Sequence, residues 1–227
     1  MGQLLRPQLL QTLREIDTPT LANAIEQFKL RDRTEGYLGA SIRCLFPQMG
    51  SMIGYALTAE ADSTTPGPVP ARDAFFAVWD ALDQAPKPAV LVFKDIGPDP
   101  NRGCHFGEVM ATTAIRMGAV GLVTDGAVRD LREAAALGFQ YFARGAVCSH
   151  GNATFGRVGV PVEIDGQTIR TGDLIHADLN GVLVIPLEIA EQLPEAVERV
   201  RARERRIMEY VKSDQFDVRG MREIFAH

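Results

Sequence analysis

The chain lacks most of the features that settle a protein's class at once. Its 227 residues include three cysteines, Cys44, Cys104 and Cys148, far apart and in no CxxC arrangement. That spacing excludes a disulfide framework and a zinc ribbon and suits a reducing compartment. No apolar run approaches the roughly 18 residues that span a bilayer. The opening stretch, MGQLLRPQLLQTLREID, breaks its one apolar segment with Arg6 and Pro7 and has no small-residue cleavage site. A secretory leader is therefore not expected, and Arg6 stands where a myristoylation signal carries Ser or Thr. These absences predict a cytoplasmic protein without membrane attachment.

Positive charge is also scarce as a surface feature. The formal net charge is −5, and the basic residues are scattered or alternate with acids, so no nucleic-acid partner is expected. GxGxxG after a strand, GxxxxGK[ST] and GxSxG are all missing, which removes the usual sequence support for dinucleotide, P-loop and nucleophile-elbow chemistry. There is no internal repeat and no low-complexity tract.

What is present is a foldable core. At 46% hydrophobic and 23% charged, with no long Pro/Gly/Ser-rich linker, the chain reads as one domain over 1–227. Helices occupy 1–40, a core follows over 41–190, and 191–227 forms a C-terminal helical extension. Residues 9–28 read as helical, interrupted at DTPT, where Asp17 or Thr18 caps a helix with Pro19 at its first position. Residues 41–60 read as strand around a Pro47/Gly50 turn. The stretch 62–72, DSTTPGPVPAR, is a loop of the kind that rims active sites.

A helix is expected over 73–84, a buried strand over 89–96, and a helix opened by Gly107 and Glu108. AVGLVT, LREAAAL and FQYFAR then give strand, helix and strand. After Gly145 short strands take over, with Asn180-Gly181 as a hairpin signal. The basic and acidic helix over 194–212 carries Val197, Val200, Ile207, Met208 and Val211 as a docking stripe. A β/α alternation flanked by antiparallel strands predicts an α/β (α+β) fold and excludes a complete eightfold β/α barrel.

The chemistry gathers at GLVTDGAVRDLREAAALG, residues 121–138, where a strand turns through Asp125-Gly126 and delivers Arg129, Asp130 and Glu133 to a helix start. A planar bidentate donor beside a hard carboxylate suits an acidic oxo-substrate and a divalent ion. The same residues also read as a capping box, Asp130 capping the helix 131–137 and Glu133 at its third position. Glu108 has a similar double reading, because an acid in a first turn is favoured by the helix dipole whatever its function. His105 and His150 lie close to cysteines but lack further ligands at zinc spacing, and His176 reads as a half-exposed strand residue. Lys94, ending a buried strand, is placed like a Schiff-base nucleophile or, alternatively, like a lysine snorkelling from a sheet edge.

Gly107-Glu108, the segment GAVGLVTDGAVRD (118–130) and TGDLIHADLNGVLVIP (171–186) resemble the RraA-like family. That family includes the class II 4-hydroxy-4-methyl-2-oxoglutarate and 4-carboxy-4-hydroxy-2-oxoadipate aldolases, oxaloacetate decarboxylases and the regulator of ribonuclease E. The resemblance extends from DTPTLANAI to the C-terminal helix and is strongest over 103–186. Its enzymatic branch has an acid, twenty intervening residues, Arg-Asp and a further acid, matched here by Glu108, Arg129, Asp130 and Glu133. This chain departs from the pattern in carrying Glu at 108 instead of Asp, and in the unmatched loop 62–72.

The resemblance implies a three-layer β/β/α swivelling fold in a homotrimer or hexamer, with sites between subunits. It implies that Asp130 holds Mg²⁺ or Mn²⁺ largely through water, with Glu108, Glu133 and Glu204 of a neighbouring subunit nearby. Arg129 would meet the oxygens of a 2-oxo acid, Gly107 would let substrate approach, and the amides of Val109 and Met110 would receive its carboxylate. The implied activity is a metal-dependent carbon–carbon lyase, an aldolase or decarboxylase acting through a pyruvate enolate. Competing readings are a non-catalytic protein-binding regulator and a Schiff-base aldolase using Lys94.

Overall fold

The computed structural model describes residues 4–68 and 73–226, so the end of the 62–72 loop, 69–72, lies outside the described residues. The elements follow in chain order. Helices α1 (Pro7–Arg14) and α2 (Thr18–Glu26) precede strands β1 (Arg43–Cys44) and β2 (Met52–Asp62). Then come α3 (Asp73–Gln84), β3 (Ala89–Asp95), α4 (Glu108–Arg116), β4 (Ala119–Thr124), β5 (Ala127–Val128), α5 (Leu131–Leu137), β6 (Gln140–Ala143) and β7 (Gly145–Ala146). Strands β8 (Thr154–Val158), β9 (Val162–Ile164), β10 (Gln167–Ile169), β11 (Leu174–Asp178) and β12 (Gly181–Ile185) lead to α6 (Leu193–Val211) and α7 (Val218–Ala226).

The main sheet has the order β1-β6-β4-β3-β2-β11-β12, with β8 also pairing β2. Strands β2, β3, β4 and β6 run parallel, linked through α3, α4 and α5. This is the β/α alternation the sequence predicts, and among the described residues no eightfold β/α barrel forms. Strand β2 is long enough to fork: its first half pairs antiparallel with β11 and its second half with β8.

Both faces of the parallel strands are covered, which is why they read as unbroken apolar runs. Leu91 and Phe93 of β3 face α3–α5, packed with Leu57, Leu122 and Tyr141. Val90 and Val92 face the other way, against Val162, Ile164 and Ile169 of the β9–β10 hairpin. That hairpin turns through Asp165 and Gly166, both at positive φ, the geometry a two-residue turn requires. Helices α1, α2 and α6 cover Ile53, Tyr55, Leu174, Leu183 and Ile185, continuing the helical layer. The architecture is therefore the three-layer β/β/α arrangement expected from the resemblance.

Local expectations shift in three places. Asp17 is the cap of α2, accepting from Thr20 N at 2.9 Å, and Pro19 is the second helical residue. In the β11–β12 hairpin Asp178 pairs with Gly181, so the loop is Leu179-Asn180, one residue earlier than the Asn-Gly pair suggests. Helix α6 docks only through its first half, where Val197 and Val200 are buried, whereas Met208 and Val211 are exposed.

His176 is the clearest correction, for it is fully buried instead of half-exposed. The α1–α2 pair covers that face of β11, and His176 Nδ1 lies 2.9 Å from Thr18 Oγ1 while Thr18 N donates to Asp178 Oδ2 at 2.9 Å. Burial pushes the His176 imidazole down from 6.5 to about 4. The folded state therefore refuses a proton that the unfolded chain accepts below pH 6.5, and stability falls as pH drops from about 6.5 to 4. The shift corresponds to a loss on the order of 3 kcal/mol. Urea unfolding of wild type and His176→Gln across this window should show a steeper loss for wild type, and parallel curves would contradict the assignment.

Candidate active site

Four parallel strands end at one edge of the sheet, and several of the buried polar residues collect there. Asp95 closes β3, Thr124 and Asp125 close β4, and Arg144 follows β6, while Ser63 follows β2. Asp95, Thr124, Asp125 and Ser63 are all nearly inaccessible. The carboxyl ends of parallel strands are where open α/β sheets bind ligands, because helices and loops diverge there.

Arg129 and Asp130 lie just beyond this edge, between β5 and α5. Gly107 is the residue before α4 and has no side chain to cap it. The carboxylate of Asp130 does so instead, its Oδ2 accepting the Glu108 N–H at 2.9 Å. Asp130 itself is left-handed, at φ 56° and ψ 48°, and makes no side-chain cap to its own helix α5. The capping-box reading is thus overturned: Asp130 caps a different helix, 22 residues away in sequence.

Gly107 has a steric role at this point. A Cβ there would lie 2.5 Å from Asp130 Oδ2 and 3.0 Å from Arg129 Nε. Its missing side chain lets the Arg-Asp pair close onto the start of α4. Arg129 Nε stands 3.5 Å from Asp130 Oδ2, and both side chains remain about a third exposed, at 37% and 36%. Arg129 N donates to Phe106 O at 3.1 Å, and Ala134 N to Asp130 O at 2.9 Å, fixing the segment on both sides.

Around this pair, Glu108 and Val109 are exposed at the first turn of α4, and Met110 is buried beneath it. The first-turn N–H groups of Val109 and Met110 precede any intrahelical partner and point from the helix start. Glu133 is exposed on α5. Among the described residues no three His, Cys, Asp or Glu side chains converge as a metal cage, so Glu108 and Glu133 do not complete one with Asp130. Glu204 lies on α6, accepting from Asn23 Nδ2 at 3.2 Å.

Among the described residues, the cysteine-neighbouring histidines have other partners. His105 is buried, its Nε2 3.2 Å from Thr124 Oγ1 and its Nδ1 3.7 Å from Asp95 Oδ2. His150 is exposed and contacts the neighbouring Gly151 carbonyl. Burial pushes the thiols of Cys104 and Cys44 up, as expected of inert cysteines. Lys94 Nζ forms an ion pair with the buried Asp125.

Asp95, Asp125 and Arg144 are charged residues of this edge to which the sequence alone assigns no chemical role. Their signal was a charged residue directly after or ending an apolar parallel strand. A cavity of 490 Å³ opens on the same edge, lined by Ser63, Thr64, Asp99, Arg102, Ser149 and Asn152 among others. A second cavity, of 640 Å³, lies at the opposite ends of the strands, between Leu10, Met52, Pro88, Ile115 and Leu137, away from Arg129 and Asp130.

A family model described as RraA-like, Aldolase/RraA, matches residues 18–184. Over 140 residues the chain is 37% identical to a protein of Halalkalibacterium halodurans named "Putative 4-hydroxy-4-methyl-2-oxoglutarate aldolase", covering 60% of this chain and 66% of that one. It is 33% identical over 143 residues to protein DlpA of Legionella pneumophila, covering 62% of this chain and 23% of that protein. The match thus spans under a quarter of DlpA and just under two thirds of the Halalkalibacterium protein. The crystal structure of Streptomyces coelicolor RraAS2, described as an unusual member of the RNase ES inhibitor RraA protein family, superposes with a TM-score of 0.70. That alignment covers 94% of this chain and all of RraAS2 at 22% identity, a likeness of fold. With the family match running from α2 almost to the end of β12, across the Gly107 and Arg129-Asp130 segments, the chain belongs to the RraA-like family.

Proposed function

We propose that this protein is a divalent-metal-dependent lyase that cleaves a carbon–carbon bond of a 2-oxo acid and leaves a pyruvate enolate. The reaction would be retro-aldol cleavage of a 4-hydroxy-2-oxo acid, decarboxylation of oxaloacetate, or both. The observation that carries this reading is Asp130: a non-glycine residue held left-handed, with an arginine beside it, at the mouth of a helix N-terminus. Backbone strain of about 1–3 kcal/mol at one residue persists where surrounding structure enforces it, and such residues cluster at functional sites. The names of the aldolase relatives support the same class.

The donor set suits a hard cation. Oδ2 of Asp130 is taken by Glu108 N–H and faces Arg129, while among the described residues Oδ1 has no protein donor. One free carboxylate oxygen is a poor basis for a cage, but Mg²⁺ and Mn²⁺ favour oxygen ligands, and Mg²⁺ commonly keeps several waters and uses one or two carboxylates. Asp130 would hold the ion, and in a homotrimer or hexamer Glu204 of a neighbouring subunit would supply a second acid through water. When bound, the ion would supply Lewis-acid stabilisation of the developing enolate oxygen.

The chain's own groups account for the rest. Arg129 would hold the 2-oxo or carboxylate oxygens of the substrate and match the negative charge as the bond breaks. The free N–H groups of Val109 and Met110 would orient the substrate carboxylate at the start of α4. Glu108, exposed at the same mouth, would receive the 4-hydroxyl proton through an ordered water. Loss of CO₂ from oxaloacetate needs no such base, so one site would serve both reactions.

Removing an electrostatic stabiliser of this kind typically costs about 10²–10³ in turnover. Arg129→Ala and Asp130→Ala should each lower kcat by at least about 100-fold, with Asp130→Ala also losing about 1 kcal/mol of stability through the lost α4 cap. Normal turnover by either variant would contradict the assignment. Gly107→Ala should lower turnover and, because its Cβ displaces the Asp130 oxygen that caps α4 as well as Arg129, should also cost about 1 kcal/mol of stability. A panel of 2-oxo acids assayed for pyruvate release should show activity that EDTA abolishes and added Mg²⁺ or Mn²⁺ restores. No turnover on any of them, together with no metal binding, would instead support the protein-binding regulator.

A further inference from the structure

Lys94 and Asp125 form a charged pair that the proposed chemistry leaves unused. We infer that they are positioning residues: Asp125, held by Lys94, anchors the turn from which the Arg129-Asp130 segment extends, and Lys94 takes no covalent part in turnover. The kinetic half of this inference rests on the lyase reading, whereas the structural half does not.

Asp125 is gripped from the two strands that flank its own. Its Oδ2 pairs with Lys94 Nζ, its Oδ1 accepts Asp95 N at 2.8 Å from the end of β3, and its carbonyl accepts Arg144 Nε at 2.6 Å from beyond β6. The next residue, Gly126, is held as well: its N–H donates to Thr124 Oγ1 at 3.0 Å and its carbonyl accepts Arg144 N at 3.3 Å. Only the two residues of β5 separate this clamp from Arg129. Those two are themselves laced to neighbours, Ala127 N to Gly103 O and Val147 N to Val128 O. Wherever Asp125 sits, Arg129 and Asp130 must follow.

The clamp needs its cation. The Asp125 side chain is 1% exposed, and a carboxylate that deep is retained only with a matched charge and satisfied oxygens. Lys94 is positioned for that and is spared competition: its cross-strand partner Glu60 is engaged by Arg157, through Oε1 and Oε2. A Schiff-base lysine must offer a free amine to a carbonyl. This Nζ is committed to a carboxylate instead.

The test compares Lys94→Met, which removes the cation, with Lys94→Arg, which keeps it and cannot form a Schiff base. Misplacement of catalytic groups by about 1 Å can cost on the order of 100-fold. Lys94→Met should lower kcat by about 10- to 100-fold with a smaller change in KM, and should raise amide exchange over residues 126–130 relative to β2 and β11. Lys94→Arg should recover most of both. Wild-type exchange and turnover in Lys94→Met would overturn the inference, as would borohydride trapping of substrate on Lys94 with Lys94→Arg inactive. Should Lys94→Met fail to fold, Lys94→Gln replaces it in the same comparison. If the wild type releases pyruvate from no 2-oxo acid, the lyase reading fails and the exchange measurement alone decides the positioning role.

Discussion

One carboxylate joins two helices in this protein. Asp130 Oδ2 accepts the first N–H of α4, and the Asp130 carbonyl accepts Ala134 N as α5 begins. To do both, its backbone turns left-handed, which costs an L-residue about 1–2 kcal/mol. A hydrogen bond to a charged group contributes about 1.5–3 kcal/mol, and at this exposure the lower end applies. The two nearly cancel, so the conformation is held by the packing of Gly107 and the tether from Arg129 N to Phe106 O more than by the cap alone. What results is a carboxylate with one oxygen committed to structure and the other available, beside a guanidinium.

The layers explain why this arrangement occurs at one edge and nowhere else along the strands. Helices cover one face of β2, β3 and β4, and the β9–β10 hairpin covers the other, so much of the strand interior is apolar. Charge is tolerated where the covering layers diverge, and Asp95 and Asp125 appear there with their hydrogen-bond partners. His176 is an instructive exception inside a covered strand. It is kept neutral by burial and tied to α2 through Thr18, which makes it a structural fastener for the N-terminal helices.

Much of this was legible in the residues. Periodicity and punctuation placed α3 at its observed bounds and β3 to within one residue, and the strand–helix alternation gave the layer class. The DGAVRD segment pointed to the candidate site because charge breaks an apolar pattern there. What could not be read were partners distant in sequence. D-L-R-E fits a local cap, and nothing local says that Gly107 would leave the start of α4 open for Asp130 to fill. L-I-H-A-D has the alternation of a half-exposed strand, and only the docking of α1 and α2 reveals that both faces are covered. The apolar stripe of α6 continues to Val211 in the sequence, whereas the surface it docks on, chiefly α2, runs out after Val200.

If the proposed lyase chemistry holds, Asp130 binds a divalent ion with its free oxygen while the other keeps α4 in place. Electron paramagnetic resonance of Mn²⁺ in the presence of oxalate, a planar mimic of the pyruvate enolate, tests it directly with wild type and Asp130→Ala. A bound Mn²⁺ spectrum that oxalate perturbs is expected in wild type, and it should disappear in the folded variant. An identical spectrum in both proteins, or no bound ion in wild type, would contradict it.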